Sequence, residues 1–316
     1  MPKKSIEDKF AEAIQNRYTQ KSVLLIGNGL NRISPGSISW DDLLKKLIIA
    51  SGVDHVEPGK KPLTFLFEEI SHRMNGGANR PNIKKLKCEV ANVISELKPG
   101  DFHENFLRLN VEDILTTNYD YCLEKELDEN FSRSVVTNKD TEKKYSINRC
   151  NRAKDKYIWH IHGELDNGFT ANTDEHYPEH SIMLGFDQYQ GYLERIVKKV
   201  KSASFDVLQD TWIKFLFTHN IHIVGLDLGV FETHLWWLLN FRAMLTARQH
   251  CIKNKIIFYA PVHENPAEKE EQFQMLSSFD VTVQKIECPH NNGKFYEGFY
   301  DQLYKRLERE LGVVNK

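Results

Sequence analysis

The sequence has few cysteines and no closely spaced pair of them. The five in its 316 residues are Cys88, Cys122, Cys150, Cys251 and Cys288. No two lie within four positions of each other, so no Cys-x-x-Cys zinc knuckle can be drawn along the chain. Scattered thiols are typical of a reducing compartment, and they favour a cytoplasmic protein without structural disulfides.

Long apolar runs and an excess of one charge are also missing. No segment approaches the roughly 20 apolar residues that a membrane span requires. The 42 basic residues are balanced by 44 acidic ones, for a net charge of −2, which argues against a polybasic membrane-surface or nucleic-acid-coating protein. The start of the chain, Met1–Asp8, turns acidic before any apolar segment, unlike a secretory signal. We therefore expect a soluble cytoplasmic protein that contacts neither membrane nor nucleic acid directly.

The sequence does contain enough apolar material for a large core, because 41% of its residues are hydrophobic and 11% aromatic. Short apolar segments predict strands at Ser22–Ile26, Asp113–Thr116, Tyr157–Ile161, Ser181–Leu184, Ile221–Gly225, Lys255–Ala260 and Val281–Ile286. Segments with helical spacing separate them, and this alternation indicates an α/β protein with a doubly wound, mainly parallel, Rossmann-like sheet. We interpret residues 1–316 as a single domain with a helical insertion at about 50–110. The polar stretch 130–156 is expected to be an exposed excursion with a short hairpin.

The residues that follow the first predicted strand, Gly27-Asn28-Gly29-Leu30-Asn31, form a Gly-x-Gly turn. Ligands of open parallel sheets bind beyond the carboxyl ends of the strands. Backbone amides in such a turn can hold a phosphate. The third glycine of the dinucleotide fingerprint is absent, so an ordinary tight turn explains the pattern equally well.

Three further strand ends carry polar or small residues. Thr116-Thr117-Asn118-Tyr119-Asp120 follows the second strand, and its Asn and Asp could equally be helix caps. In His160-Ile161-His162-Gly163, period-two alternation predicts that both histidines face the same side. His162 would then close the strand towards the crevice as an acid/base candidate, whereas a lone histidine is more often a satisfied core residue. Gly225-Leu226-Asp227-Leu228-Gly229 is a second small-residue turn.

These four elements resemble the SIR2-like superfamily in kind and order, over roughly residues 20–250, and most closely its bacterial NADases of anti-phage defence. The resemblance implies an NAD⁺ pocket in which Asn118 and His162 match the catalytic Asn and His. It also places Asp120 as the acidic residue at the nicotinamide side. The residues it implies for binding NAD⁺ are Gly27, Asn28, Gly29, Asn31, Thr117, Gly163, Gly225 and Asp227.

Two features depart from the superfamily pattern. Deacetylase sirtuins carry a zinc module built from two Cys-x-x-Cys pairs, and this sequence has none. The late turn of the family usually reads Gly-x-Ser, whereas Asp227 holds the Ser position here. A carboxylate would repel a pyrophosphate, so we expect Asp227 to meet a ribose hydroxyl or to cap the following helix.

The activity that the resemblance implies is NAD⁺ glycohydrolysis, giving nicotinamide and linear or cyclic ADP-ribose, as an antiviral effector that depletes cellular NAD⁺. Cleavage of the nicotinamide–ribose bond needs no Lewis acid, since the leaving pyridine departs neutral. Five histidines, at positions 72, 103, 219, 222 and 234, have no metal-ligand spacing, so no metal cofactor is expected. The alternative from another class is a non-hydrolytic NAD⁺- or ADP-ribose-binding subunit of a defence complex. A protein deacetylase ranks third, because the zinc cysteines are missing.

The segment Phe231–Ala247 is apolar on more than one face of a helix. A surface helix of a monomer needs an apolar stripe only about 100° wide. Part of the helix must therefore meet the sheet, and the rest must meet the helical insertion or another subunit. We expect a homo-oligomer, triggered by self-assembly or by a separately encoded partner such as an ATPase or an Argonaute-type protein.

Overall fold

The computed structural model describes residues 4–53, 56, 59, 61–74, 83–135, 147–165, 182–202, 205–249, 252–262, 267–288 and 295–314. Its strands are β1 (Ser22–Ile26), β2 (Asp113–Thr116), β3 (Ser132–Val135), β4 (Arg149–Ala153), β5 (Lys156–His160), β6 (Asn220–Val224), β7 (Ile256–Pro261) and β8 (Val281–Ile286). Its α-helices are α1 (Ile6–Ile14), α2 (Trp40–Ser51), α3 (Leu63–Arg73), α4 (Ile83–Ser95), α5 (Asp101–Leu107), α6 (Cys122–Leu127), α7 (Phe186–Val200), α8 (Phe215–Thr218), α9 (Thr233–Gln249), α10 (Ala267–Ser278) and α11 (Phe295–Leu311).

The eight strands of the described residues form one sheet in the order β3-β4-β5-β2-β1-β6-β7-β8. The six strands from β5 to β8 in this order pair in parallel, and β3 and β4 add an antiparallel hairpin at one edge. The predicted doubly wound, mainly parallel sheet is thus confirmed, and so is a hairpin within residues 130–156. The expectation that this stretch is exposed is wrong for β4, because Cys150, Asn151 and Ala153 are buried in the sheet. The predicted strand 181–184 is wrong, because its described residues form only a single bridge, from Ile182 to Gly163.

The strand order reverses direction at β1, which pairs with β2 on one side and β6 on the other. The chain winds outward from β1 to β5 first, and then outward from β6 to β8. The carboxyl ends of the strands around this reversal are the position where open parallel sheets bind ligands.

Successive strand residues are buried on opposite faces of the sheet. Val23 and Leu25 of β1 pack with α1, α7 and α9, whereas Leu24 and Ile26 pack with α5, α6 and α11. Burial on both faces explains why β1 reads as a continuous apolar run.

Helices α2, α3 and α4 lie between β1 and β2 in the chain and share a core of their own. Ser39 caps α2 by accepting a hydrogen bond from the Asp42 amide at 3.1 Å, and Gly52 ends it with a φ of +67°. Serine is common at the start of a helix because its side-chain oxygen accepts a backbone hydrogen bond. Glycine is common at the end because it adopts a positive φ without strain. This helical layer packs on Tyr119 and Tyr121, directly after β2.

The apolar segment predicted at Phe231–Ala247 forms α9, and a single chain covers most of it. Leu238 and Leu245 are fully buried, while Trp236 and Trp237 are half-buried against the same core. The ring centroids of Phe231 and Phe65 in α3 are 5.4 Å apart, so the helical insertion covers part of the apolar surface of this segment. Among the described residues, every helix is too short or too polar to cross a lipid bilayer.

Candidate active site

A cavity of about 470 Å³ lies at the carboxyl ends of the central strands, within the range of roughly 300–1,000 Å³ that small-molecule sites occupy. The predicted site residues that line it are Asn28, Gly29, Thr117, Asn118, His162, Gly225 and Asp227. The remaining four, Gly27, Asn31, Asp120 and Gly163, do not line it. The fold therefore brings the predicted catalytic Asn and His to one cavity.

Asn118 follows β2 and presents an acceptor at the cavity. Its backbone amide donates to the hydroxyl of Thr116 at 3.1 Å, and its side-chain Nδ2 donates to the Gly27 carbonyl at 3.3 Å. The side chain is buried, and its Oδ1 has no hydrogen-bond partner among the described residues. Because a buried polar atom without a partner is costly, Oδ1 is suited to accept a hydrogen bond from a ligand or water.

His162 also lines the cavity, inside a cluster that includes Glu232 and His234. Its Nε2 lies 3.0 Å from Oε2 of Glu232 and 3.1 Å from Nε2 of His234. The hydroxyl of Tyr189 lies 3.4 Å from Nδ1 on the other side of the ring. These contacts fix the imidazole in place and put a carboxylate beside it.

Burial and neighbouring charges determine the protonation states of Glu232 and His234. Burial alone would raise the pKa of Glu232, but the attraction of His162 lowers it below its usual value. Burial lowers the pKa of His234 to about 3, with His162 adding to the effect. The cluster thus holds an ionised carboxylate and a neutral imidazole at neutral pH.

Asp120 lines a second cavity, of about 30 Å³, together with Asn31, Asn118 and residues of α2 and α4. Its Oδ2 accepts from Nδ2 of Asn31 at 2.6 Å, and its Oδ1 accepts from the Cys122 amide at 2.9 Å. Asn31 also donates to Oδ1 of Asn28 at 3.1 Å. Asp120 therefore joins the turns after β1 and β2, and Asn28 carries this connection to the large cavity.

His103 of α5 completes the connection. Its Nδ1 accepts from the Gly100 amide at 3.1 Å, so Nε2 carries the proton and donates to Oδ1 of Asn31 at 3.0 Å. Burial lowers the pKa of His103, although Asp120 opposes the effect. A neutral, singly protonated ring is what this hydrogen-bond pattern requires.

Comparisons with known proteins point the same way as the strand-end motifs. The family description of the SIR2-like domain matches residues 112–279, more than half of the chain. The chain belongs to the SIR2-like family. Asn118, His162, Glu232 and His234 all lie within the matched residues, whereas the Gly-x-Gly turn precedes them.

Two curated relatives are both named NAD(+) hydrolase ThsA. The protein of Enterococcus faecium is 26% identical over 198 residues, which are 61% of this chain and 38% of that protein. The protein of Bacillus cereus (strain MSX-D12) is 24% identical over 197 residues, which are 61% of this chain and 36% of that protein. The chain thus matches little more than a third of the length of either relative.

The Gly-x-Gly turn is shaped by the protein's own backbone. A Cβ on Gly27 would lie 2.5 Å from the Gly225 carbonyl oxygen, so only glycine fits where the turns after β1 and β6 cross. The Gly29 amide donates to that same oxygen at 2.8 Å, and the Gly27 amide donates to Val224 at 2.9 Å. These two amides are used within the sheet, so the tight-turn interpretation accounts for both glycines.

Gly225 and Gly163 adopt conformations that favour glycine, with φ of +65° and +93°. Asp227 lies at the rim of the cavity with its side chain 77% exposed and paired with Lys269 of α10. It is not a helix cap, because α9 begins six residues later at Thr233. The ribose contact expected of Asp227 stays a prediction.

The expectation that His160 and His162 face the same side is wrong. His160 ends β5 and points to α6, where its Nε2 donates to Oε1 of Glu124 at 2.7 Å. Residues 161 and 162 form a turn that Gly163 continues, so period-two alternation stops at His160. His162 consequently turns to the opposite face, against α7 and α9.

Glu232, His234 and Tyr189 were missed as site residues by the sequence reasoning. A signal was present, because Glu232 and His234 follow a small-residue turn at the carboxyl end of β6. Tyr189, by contrast, looks like any apolar residue of an amphipathic helix, and only packing brings it to His162.

Proposed function

We propose that this chain is an NAD⁺ glycohydrolase that releases nicotinamide and ADP-ribose. The observation that carries the proposal is the meeting of Asn118 and His162 at one cavity in a SIR2-like chain. The name NAD(+) hydrolase of both relatives supports it.

The reaction requires the site to hold the ribose while positive charge develops on it and to deliver water. His162 accepts a proton from water or from a ribose hydroxyl, a role typically worth about 10²–10⁴-fold in rate. Oδ1 of Asn118, which no described residue hydrogen-bonds, accepts a hydrogen bond from that water or hydroxyl. Glu232 holds the His162 ring and stabilises it when it becomes protonated.

Asp120 does not line the large cavity of the described residues. With Asn31 it positions Asn28, which lines the cavity. Its direct contact with the nicotinamide carboxamide stays a prediction from the family resemblance. The pyrophosphate is expected near Arg32 and Lys269, which line the cavity with cationic side chains.

The direct test is to incubate the purified chain with NAD⁺ and to follow nicotinamide by chromatography. Equimolar nicotinamide and ADP-ribose, or nicotinamide and cyclic ADP-ribose, would support the proposal. Binding of NAD⁺ without product would favour the non-hydrolytic alternative instead. Turnover should persist after dialysis against EDTA, since no step needs a metal ion. Loss of activity on chelation, restored by Zn²⁺, would contradict the mechanism.

We further propose that the activity serves anti-phage defence by depleting NAD⁺. Cells that express the chain should resist phage and lose NAD⁺ on infection, whereas cells that express Asn118→Ala should do neither. Equal plaque counts with both chains would contradict this role. The same assay with and without neighbouring genes would reveal a separately encoded ATPase or Argonaute-type partner.

Homo-oligomerisation is likewise a proposal. The covered face of α9 no longer requires it, but an aromatic cluster remains at the surface: Phe65 is 45% and Phe186 39% exposed, with ring centroids 4.8 Å apart. Val230, next to the cavity residue Gly229, is 70% exposed. Light scattering should give more than one chain per particle, and Phe65→Ser should reduce it. A strictly monomeric wild type, with and without NAD⁺, would contradict the proposal.

A further inference from the structure

Three metal-ligating atoms converge beside the cavity. Nε2 of His162 lies 3.1 Å from Nε2 of His234 and 3.0 Å from Oε2 of Glu232. Nε2 of His234 and Oε2 of Glu232 are 4.0 Å apart. Ligands at about 2.0–2.2 Å from a tetrahedral Zn²⁺ lie about 3.4 Å from one another. The three separations bracket that value, so one ion can reach all three atoms with small side-chain adjustments.

The hydrogen bonds within this cluster do not satisfy all three atoms. Although Oε2 of Glu232 lies 3.0 Å from His162, it is buried and accepts no hydrogen bond of normal geometry among the described residues. At least one of the two facing imidazole nitrogens, in His162 and His234, must present a lone pair, because a hydrogen bond between them uses a single proton. A cation between the three atoms would replace this hydrogen bond and be bound by both imidazoles and the carboxylate together.

The ligand types of these three side chains indicate which metal ion the site would bind. Two neutral imidazoles and one carboxylate are ligands for Zn²⁺ and its neighbours in the first transition row, whereas Mg²⁺ and Ca²⁺ prefer oxygen alone. His162 and Glu232 line the cavity, so a fourth coordination position would open towards it. His234 is fully buried between the rings of Tyr192 and Trp212, which hold it in position.

We propose that His162, Glu232 and His234 form a regulatory site for a divalent transition-metal ion, Zn²⁺ above all, whose binding silences the enzyme. The site itself stands on geometry alone, while its silencing effect rests on the proposed function. A bound ion takes the Nε2 lone pair of His162, and it neutralises the Glu232 carboxylate that supports the ring. Metal binding and hydrolysis are therefore mutually exclusive.

Metal binding can be measured without NAD⁺. Metal-free full-length protein is titrated with Zn²⁺ in a calorimeter and with Co²⁺ under visible absorption. One ion per chain is expected, with the intense Co²⁺ bands of a four-coordinate site. Glu232→Gln and His234→Gln should each weaken binding by at least about 10–100-fold, the effect of losing even an outer-shell partner. His72→Ala, at an exposed position on α3, is the matched control and should bind as the wild type does.

The outcomes separate the two proposals. Absence of stoichiometric binding, or binding that both Gln variants retain at full affinity, overturns the metal site whatever the protein does to NAD⁺. Zn²⁺ should also inhibit nicotinamide release at the concentrations that saturate the site, and uninhibited turnover of the loaded protein overturns the regulatory role. If wild-type protein binds Co²⁺ at this site but never cleaves NAD⁺, the proposed function fails and the metal site stands.

Discussion

Oε2 of Glu232 lies 3.0 Å from Nε2 of His162, although the two residues are 70 positions apart in the chain. Glu232 immediately precedes α9, and its backbone carbonyl accepts a hydrogen bond from the Trp236 amide at 2.9 Å. The first turn of the helix thus fixes the carboxylate that faces the histidine. A histidine held in this way is prepared to take up a proton without moving.

We expect Glu232→Gln to lower kcat for NAD⁺ cleavage by about 10–100-fold and to change KM little. This loss is smaller than the loss expected on removing a general base itself. The amide keeps the shape of the side chain but cannot stabilise a protonated His162. Glu232→Asp should recover part of kcat, since it restores the charge. Glu194→Gln, at an exposed position on α7, is the control. Equal loss in the Gln and Asp variants would assign Glu232 a purely structural role.

Asn118→Ala and His162→Ala should each reduce nicotinamide release by at least about 10²-fold. Each variant removes one polar group from the cavity wall. Circular dichroism and thermal unfolding establish that the variants fold, and His72→Ala controls for loss of a histidine elsewhere. A folded variant that keeps near wild-type turnover would remove that residue from the mechanism.

Gly27→Ala should destabilise the protein by about 1–3 kcal/mol, the usual cost of an overpacked site. The new Cβ would lie 2.5 Å from both the Gly225 carbonyl oxygen and Leu226 Cα, which are backbone atoms. Movement of the turn would also disturb Asn118, which donates to the Gly27 carbonyl, so turnover should fall as well. Gly191→Ala is the matched control, because nothing lies within 4 Å of its Cβ in α7; it should stabilise the helix by about 0.5–1 kcal/mol. Equal denaturation midpoints for the two variants would refute the close approach.

Stability should fall as the pH rises from about 6.5 to 9 because of His160. Burial alone lowers its pKa, but the charge and hydrogen bond of Glu124, with help from Glu164, raise it to about 9. Below the unfolded pKa of 6.5 both states are protonated and the interaction contributes fully; above about 9 it is lost. This difference corresponds to about 3 kcal/mol.

Denaturant unfolding at pH 6 and pH 9.5 measures the effect. The free energy of unfolding should decrease by about 3 kcal/mol more in the wild type than in His160→Gln. His219 and His222, whose pKa values burial lowers to about 4, contribute equally in the two proteins and cancel in the comparison. Parallel pH profiles for the two proteins would show that the Glu124–His160 pair carries no such energy.

The sequence was sufficient to predict which strand ends border the large cavity. Apolar runs such as Val23–Ile26 bury on both faces only in a parallel sheet, and the carboxyl ends of such strands meet at one edge. Because Asn118 comes two residues after the end of β2, strand periodicity and chain order were enough to predict that it lies at that edge. The resemblance of the Asn118 and His162 motifs to the SIR2-like family suggested which reaction these residues carry out.

Tertiary structure alone decided what surrounds those residues. The direction of His162 depends on a turn that breaks strand alternation, and the positive φ of Gly163 is not visible in a one-letter code. Glu232 and His234 reach His162 although β2 and β1 lie between β5 and β6 in the sheet, because the residues after β5 and those at the start of α9 meet beyond the carboxyl ends of the strands. Spacing along a chain predicts contacts within one element, whereas contacts between elements depend on how the whole sheet is ordered. For this reason the meeting of Asn118 and His162 at one edge could be predicted from the sequence, whereas the contact between Glu232 and His162 could not.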